Sequence, residues 1–175
     1  MGATVVAVLL GRYAWRHRVA VATRVTVPFA LNDTAWRAVR SAARTAGKSC
    51  PPHAPVAILY VSRSCVHCKA ELLRWAGLMH SGAPEVDCVS IAVVAPFAES
   101  SPADKWLPPE MQRALLWDRD GSIARALDAR LVPVAAFVTS AGVVRARAVG
   151  ESSGAATLER MRTLLWFSRI ERGGH

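Results

Sequence analysis

The chain has 175 residues, 52% of them hydrophobic and 20% charged, which sets the size of about one domain and argues for a packed core and against wholesale disorder. Ten prolines and eleven glycines are scattered without period, which excludes collagen-like, low-complexity and repeat architectures. The formal charge of +9 sits mostly in the leader: residues 1–50 hold eight Arg or Lys against Asp33 alone, and residues 51–175 hold fourteen against twelve acidic residues. No zinc-finger spacing, leucine-zipper basic helix or aromatic RNA-binding signature accompanies that charge, so it does not point to nucleic acid.

The chain opens on an apolar run, Gly2 to Gly11, followed by Arg12, Arg16, His17 and Arg18. The run is about half of the ~20 residues a helix needs to cross a bilayer, and no positive segment precedes it as in a signal peptide. Two readings of residues 1–18 stay open: a truncated or degenerate membrane anchor, or a short strand or helix of a soluble protein. Residues 19–53 read as an accessory layer. In it, β-branched Val19 to Phe29 suits a strand stopped near Pro28, and Asn32 or Asp33 caps a helix through Ala46 with Trp36, Val39, Arg40 and Ala43 at helical spacing. Gly47 to Pro55 breaks every regular pattern and marks the entry into a main domain, residues 54–170.

From Val56 to Val61 the chain reads as a buried strand, with Ser62 to Ser64 as the turn after it. Cys65-Val66-His67-Cys68 follows and opens a helix that runs through Met79 with Leu72, Trp75, Ala76 and Met79 as its apolar stripe. A Gly82-Ala-Pro84 turn leads to a strand over Val86 to Val94. Pro96 to Pro109 is an irregular excursion, followed by a short helix and the Leu115 to Trp117 strand. Asp118 to Gly121 is a turn and cap, and Ile123 to Leu131 a helix. Leu131 to Val138 is a third long apolar run, Ser140 to Gly142 a hairpin turn, and Val143 to Ala148 the returning strand. A last helix, Ala155 to Phe167, carries Leu158, Met161, Leu165 and Trp166 inward. Strands separated by helices and ending in a hairpin plus helix predict an α/β fold with a mixed central sheet.

Two cysteines three residues apart on the first turn of a helix put both sulfurs on one side, where they can close a small disulfide ring. The unpaired N–H groups and positive dipole end of a helix N-terminus stabilise a thiolate at the first of them. Cys65, at the strand-to-helix tip, is expected to be exposed, and Cys68, one turn in, more covered. His67 and Arg63 are both placed to favour the anion. A C-x-x-C pair also begins many zinc sites; a tetrahedral site needs a second pair, and Cys50 and Cys88 are isolated, with His53 and His80 the only histidine supplements. Cys50 and Cys88 are either a second, structural disulfide or, respectively, an unpaired surface thiol and a small buried hydrophobe.

Residues Ala57 to Met79 resemble the active-site unit of the thioredoxin-like superfamily, and the Cys-Val-His-Cys centre is similar to the Cys-Pro-His-Cys of DsbA-type disulfide oxidases. Cys68-Lys-Ala-Glu71, Asp118-Arg-Asp-Gly-Ser-Ile-Ala124, Val132-Pro133 and Ser140-Ala-Gly-Val-Val144 look more like the extracytoplasmic thiol-disulfide oxidoreductases that include cytochrome-maturation reductases. The resemblance covers about residues 54–168. It implies a thioredoxin-like mixed sheet flanked by helices, a cis proline at Pro133 against the cysteine pair, and backbone hydrogen bonds from Val132 to a bound substrate chain. Departures are Ser64 in place of Trp, Val66 in place of Pro or Gly, Leu73 in place of a helix proline, and Leu59 where thioredoxin has a buried acid.

The activity that follows is thiol-disulfide exchange with protein cysteines, with Cys65, Cys68 and His67 catalytic and Val132, Pro133 and Arg63 in contact with substrate. No cofactor is implied. The partners are a cysteine-containing protein and a thiol-disulfide electron-transfer protein, and a monomer is expected. A histidine between the cysteines argues for an oxidant and the family pattern for a reductant, so direction stays open. The alternative is a redox-inert thioredoxin-like interaction or metal-binding module. An extracytoplasmic or periplasmic location, with or without an anchor at residues 1–18, is expected; a cytoplasmic one follows if residues 1–11 are the true soluble N-terminus.

Overall fold

The structure is a computed structural model that describes residues 30–45, 54–100 and 106–173. Its centre is β2, Val56–Tyr60, whose five residues are all buried. A strand covered on both faces has no polar side to present, which is why its sequence reads as an unbroken apolar run. It pairs in parallel with β3, Ser90–Pro96, and antiparallel with β5, Val134–Val138. Beyond β5 lies β6, Val144–Val149, returned by a hairpin turn at Gly142. That glycine has φ +83°, and a Cβ there would stand 3.1 Å from the Trp36 ring, so both backbone conformation and space call for glycine. The far edge of β3 is shared by β4, Leu115–Asp118, in parallel, and by β1, Arg44–Thr45, antiparallel.

Alternate residues of β2 feed two cores. Ala57 and Leu59 join Leu72, Trp75, Ile91, Val93, Phe137, Met161 and Leu164 beneath α2, Val66–Met79, α3, Pro84–Asp87, and α5, Gly154–Gly173. Val56, Ile58 and Tyr60 join Leu31, Ala35, Val39, Ile123, Leu127 and Val138 beneath α1, Asp33–Ala42, and α4, Ser122–Ala126. Asn32 caps α1 by accepting the Ala35 N–H at 2.8 Å.

Several boundaries differ from the sequence expectation. The first helix ends at Ala42 and not Ala46, because Ala43 turns extended and the next two residues pair with β3. The expected strand from Val86 begins at Ser90 instead: Pro84 at the first helical position starts a single turn of helix, and the strand runs on to Pro96. The helix expected to reach Leu131 stops at Ala126, and Asp128 takes φ +46° on the way to a cis Val132–Pro133 bond. Trp166, expected to face inward, is 58% exposed, and Leu164 fills the core in its place. The Val19–Phe29 strand, residues 1–18 and Cys50 lie outside the described residues. Among the described residues no helix is long and apolar enough to cross a membrane.

The Asp118 carboxylate, expected as a turn and cap, is buried and accepts from Ile123 N–H at 3.3 Å, Ala124 N–H at 2.9 Å and the Tyr60 hydroxyl at 3.3 Å. Burial, then the neighbouring carboxylate, pushes the Tyr60 phenol well above its ordinary value, so it stays a donor. Asp118→Ala leaves three donors facing a dry site and is expected to cost about 2–4 kcal/mol, read as a lower urea midpoint at unchanged slope. A midpoint within about 0.5 kcal/mol of the native chain contradicts this account.

Candidate active site

The row Tyr60, Val94, Val134 and Val149 runs straight across the sheet by register. The segments that leave or enter the sheet at that row carry the candidate residues: Ser62 to Cys68 after β2, Phe97–Glu99 after β3, Val132–Pro133 before β5, and Gly150 to Ser152 after β6.

Cys65 is the N-cap of α2. Ser, Thr, Asp or Asn usually holds this position by accepting a free N–H; here sulfur does so, taking the Cys68 N–H at 3.2 Å. Its thiol also faces the Val132 carbonyl at 3.7 Å, so the segment singled out by Val132-Pro133 lies against the first cysteine. Pro133 is buried, and its carbonyl accepts the Gly150 N–H at 2.8 Å. Cys68 is fully buried one turn along, with the Ser62 N–H 3.5 Å from its sulfur. Burial, chiefly, pushes its thiol up to about 12. Cys65 is half-buried, and both sulfurs are free thiols, as is the half-buried Cys88; Cys50, expected as its partner in a second disulfide, lies outside the described residues.

His67 is largely exposed, and its ring Nδ1 lies 2.7 Å from Glu151 Oε1. Arg63 is exposed; its backbone N–H donates to Glu99 Oε2 at 2.6 Å, while the Ser62 hydroxyl donates to Glu99 Oε1 at 2.8 Å. Arg63, Ser64, Ala98, Glu99 and Ser100 line a shallow groove. Glu71, three residues past Cys68, is buried and accepts from Trp75 Nε1 at 2.9 Å, Ser152 N–H at 3.0 Å, the Ser152 hydroxyl at 3.3 Å, and Arg74. Glu99, Glu151 and Ser152 did not stand out in the sequence. Each follows the end of a strand by a few residues, where only the register across the sheet brings it to the cysteines. Among the described residues no group of three or more His, Cys, Asp or Glu is arranged to hold a metal.

No family model matches the chain, and no curated protein sequence does. Its fold is similar to that of StoA from Bacillus subtilis, at 13% identity and TM-score 0.52, over 62% of this chain and 83% of that one. It is similar to a thiol:disulfide interchange protein DsbE from Chlorobium tepidum at 14% identity and TM-score 0.52, over 86% and 96% of the two chains. A protein described as a thioredoxin from Neisseria meningitidis matches at 18% identity and TM-score 0.51, over 70% and 82%. The fold is thioredoxin-like, a mixed sheet of six strands flanked by helices.

The two sulfurs are chemically unequal, which sets a measurable difference. The Cys68 thiol, pushed up to about 12 chiefly by burial, stays protonated at pH 8, and the thiolate is the form that alkylates. Iodoacetamide added to the reduced native chain at pH 8 is expected to label Cys65 at least about tenfold faster than Cys68, as read by peptide mapping, and the two rates should converge in urea. Equal rates in the folded chain contradict the assignment.

Proposed function

We propose that the protein is a thiol-disulfide oxidoreductase acting on protein cysteines through Cys65 and Cys68. The observation that carries this reading is the Cys65 sulfur itself. It sits at a helix N-terminus, receives the Cys68 N–H, and opens against the Val132 carbonyl, with the second thiol buried directly behind it. A helix start stabilises an anion there, and the Val132 backbone gives a partner chain something to pair with beside the reacting sulfur.

In the reducing direction the Cys65 thiolate attacks one sulfur of a partner disulfide, forming a mixed disulfide and releasing one partner thiolate, which takes a proton. Cys68 then gives up its proton and attacks Cys65, closing the Cys65–Cys68 disulfide and releasing the second partner thiolate. Two electrons pass to the partner, whose two thiolates take up two protons, one given by Cys68 and one matching the proton that Cys65 released to solvent on ionising, and a dithiol protein returns both. The oxidising direction is the same sequence reversed. Pro133 and Val132 form the wall of the substrate groove, Arg63 its rim, and His67 tunes the centre. No organic cofactor enters. The domain at residues 54–170 faces an oxidising compartment in this reading.

Reversible gain of two alkyl labels after mild reduction, with no metal released, is the expected result by mass spectrometry. Cys68→Ser is expected to accumulate a mixed disulfide with a cysteine-containing protein, and Cys65→Ser to lose exchange by at least about a hundredfold. A pair that releases zinc on labelling, or that never re-forms its disulfide, returns the domain to the redox-inert alternative.

A further inference from the structure

His67, Glu71 and Arg74 stand at i, i+4 and i+7 of α2, so their side chains stack on one face of the helix, about 100° round from Cys68. All three engage the segment after β6. His67 Nδ1 is 2.7 Å from Glu151 Oε1, Arg74 Nη2 donates to Glu151 Oε2 at 3.1 Å, and Glu71 takes the Ser152 N–H at 3.0 Å. Hydrogen bonding from His67, then from Arg74, holds the Glu151 carboxyl below the usual carboxylate range. An ionised carboxylate only accepts, so Nδ1 carries the proton between the two groups. The segment cannot drift: Gly150 donates to Pro133 on one side of Glu151 and Ser152 is fixed to buried Glu71 on the other. The Cys65 sulfur meanwhile has other neighbours, the Cys68 N–H and the Val132 carbonyl.

We propose that Glu151 is a positioning residue that withholds the His67 imidazole from the Cys65 sulfur, so that the dithiol is a weaker oxidant, and a better electron donor to a partner disulfide, than its Cys-Val-His-Cys sequence alone would make it. This rests on the thiol-disulfide exchange reading and adds a direction to it. A donor or positive charge beside the thiolate stabilises the reduced pair and makes it oxidising. The imidazole that could supply it is bound to Glu151, whose negative charge offsets any charge the ring carries. Electrons then leave as in the reducing sequence above: Cys65 and Cys68 lose two electrons and two protons to the partner disulfide, and a dithiol protein restores them.

The test uses the full chain equilibrated at pH 7 in glutathione buffers of known ratio, with the fraction of dithiol read by alkylation and mass. Glu151→Gln keeps the size but removes the negative charge that holds the ring, and Glu151→Ala removes the acceptor as well. Glu151→Gln is expected to shift the equilibrium toward dithiol by about three- to tenfold. Glu151→Asp, which keeps the carboxylate, is expected to stay within about twofold of the native chain. Added to His67→Ala, Glu151→Gln is expected to cause no further shift beyond about twofold. Glu151→Ala gives the same reading if the glutamine variant is unstable. A cycling dithiol indifferent to both Glu151→Gln and Glu151→Ala overturns the proposal, and so does an equal shift in the His67→Ala background, which would mean that Glu151 acts without the ring. A native pair that never equilibrates with glutathione overturns the exchange reading and the proposal together.

Discussion

Glu71 is 1% exposed, and a carboxylate removed from water is tolerated only where donors replace the hydration it lost. It receives Trp75 within its own helix, Arg74 one residue before that, and both the backbone N–H and hydroxyl of Ser152 from the segment after β6. That requirement ties the first turns of α2 to the segment after β6. The same segment holds the Pro133 carbonyl through Gly150 and the His67 ring through Glu151. One buried charge therefore fixes the relative placement of the cysteine helix, the histidine between the cysteines and the chain facing Cys65. Arg74 serves two carboxylates at once, Glu71 and Glu151, so the buried group and the half-exposed one share a cation.

The inequality of the two sulfurs follows chiefly from helix geometry, which buries one and leaves the other at the helix end. A residue at the N-cap stays at the surface of the helix end and meets unpaired N–H groups; one three positions later is turned into the core. Leu59, where thioredoxin's own pattern resembles a buried acid, is itself fully buried and apolar. Glu99, the acid that does lie near, is engaged by Ser62 and the Arg63 backbone, and its charge adds to the elevation of the Cys68 thiol. Cys68 thus stays protonated while Cys65 is free. It becomes a nucleophile only after Cys65 has been drawn into a mixed disulfide, when the electrophile stands next to it and proximity compensates for the small thiolate fraction.

The parts of this arrangement legible in the sequence are those encoded locally. Val56 to Val61 announces a doubly covered strand, Cys65 to Cys68 at the following helix start announces the chemistry, and Asp118 to Gly121 announces a cap. Asp118 in fact satisfies two N–H groups of α4 and the Tyr60 hydroxyl as well, and the last of these joins residues 58 positions apart, which no local pattern encodes. Arg44 and Thr45 form a strand only because the edge of β3 beyond the reach of β4 is open to them. Trp166 sits near the inward stripe of the last helix, yet Met161 and Leu164 fill the core and leave the indole exposed. Glu151 was invisible for the same reason as Glu99: each is a lone acid after a strand.

Register carries the remaining step from fold to site. Val94, Tyr60, Val134 and Val149 stand in one row across four strands, so one end of the sheet delivers the cysteine helix, Glu99, the Val132–Pro133 segment and Glu151 to a single edge, where ligands of open α/β sheets collect. Slipping β5 by one residue would turn Ala135 and Phe137 out of the core they share with Leu59 and Trp75, and it would also move the Val132 carbonyl relative to the Cys65 sulfur. Apolar packing deep in the sheet and the spacing of polar atoms at its edge are therefore one constraint. The irregularity in the pairing of β5 with β6 falls at Phe137 and Val138, at the opposite end from Val134 and Val149, which leaves the end that carries the cysteine chemistry in regular register.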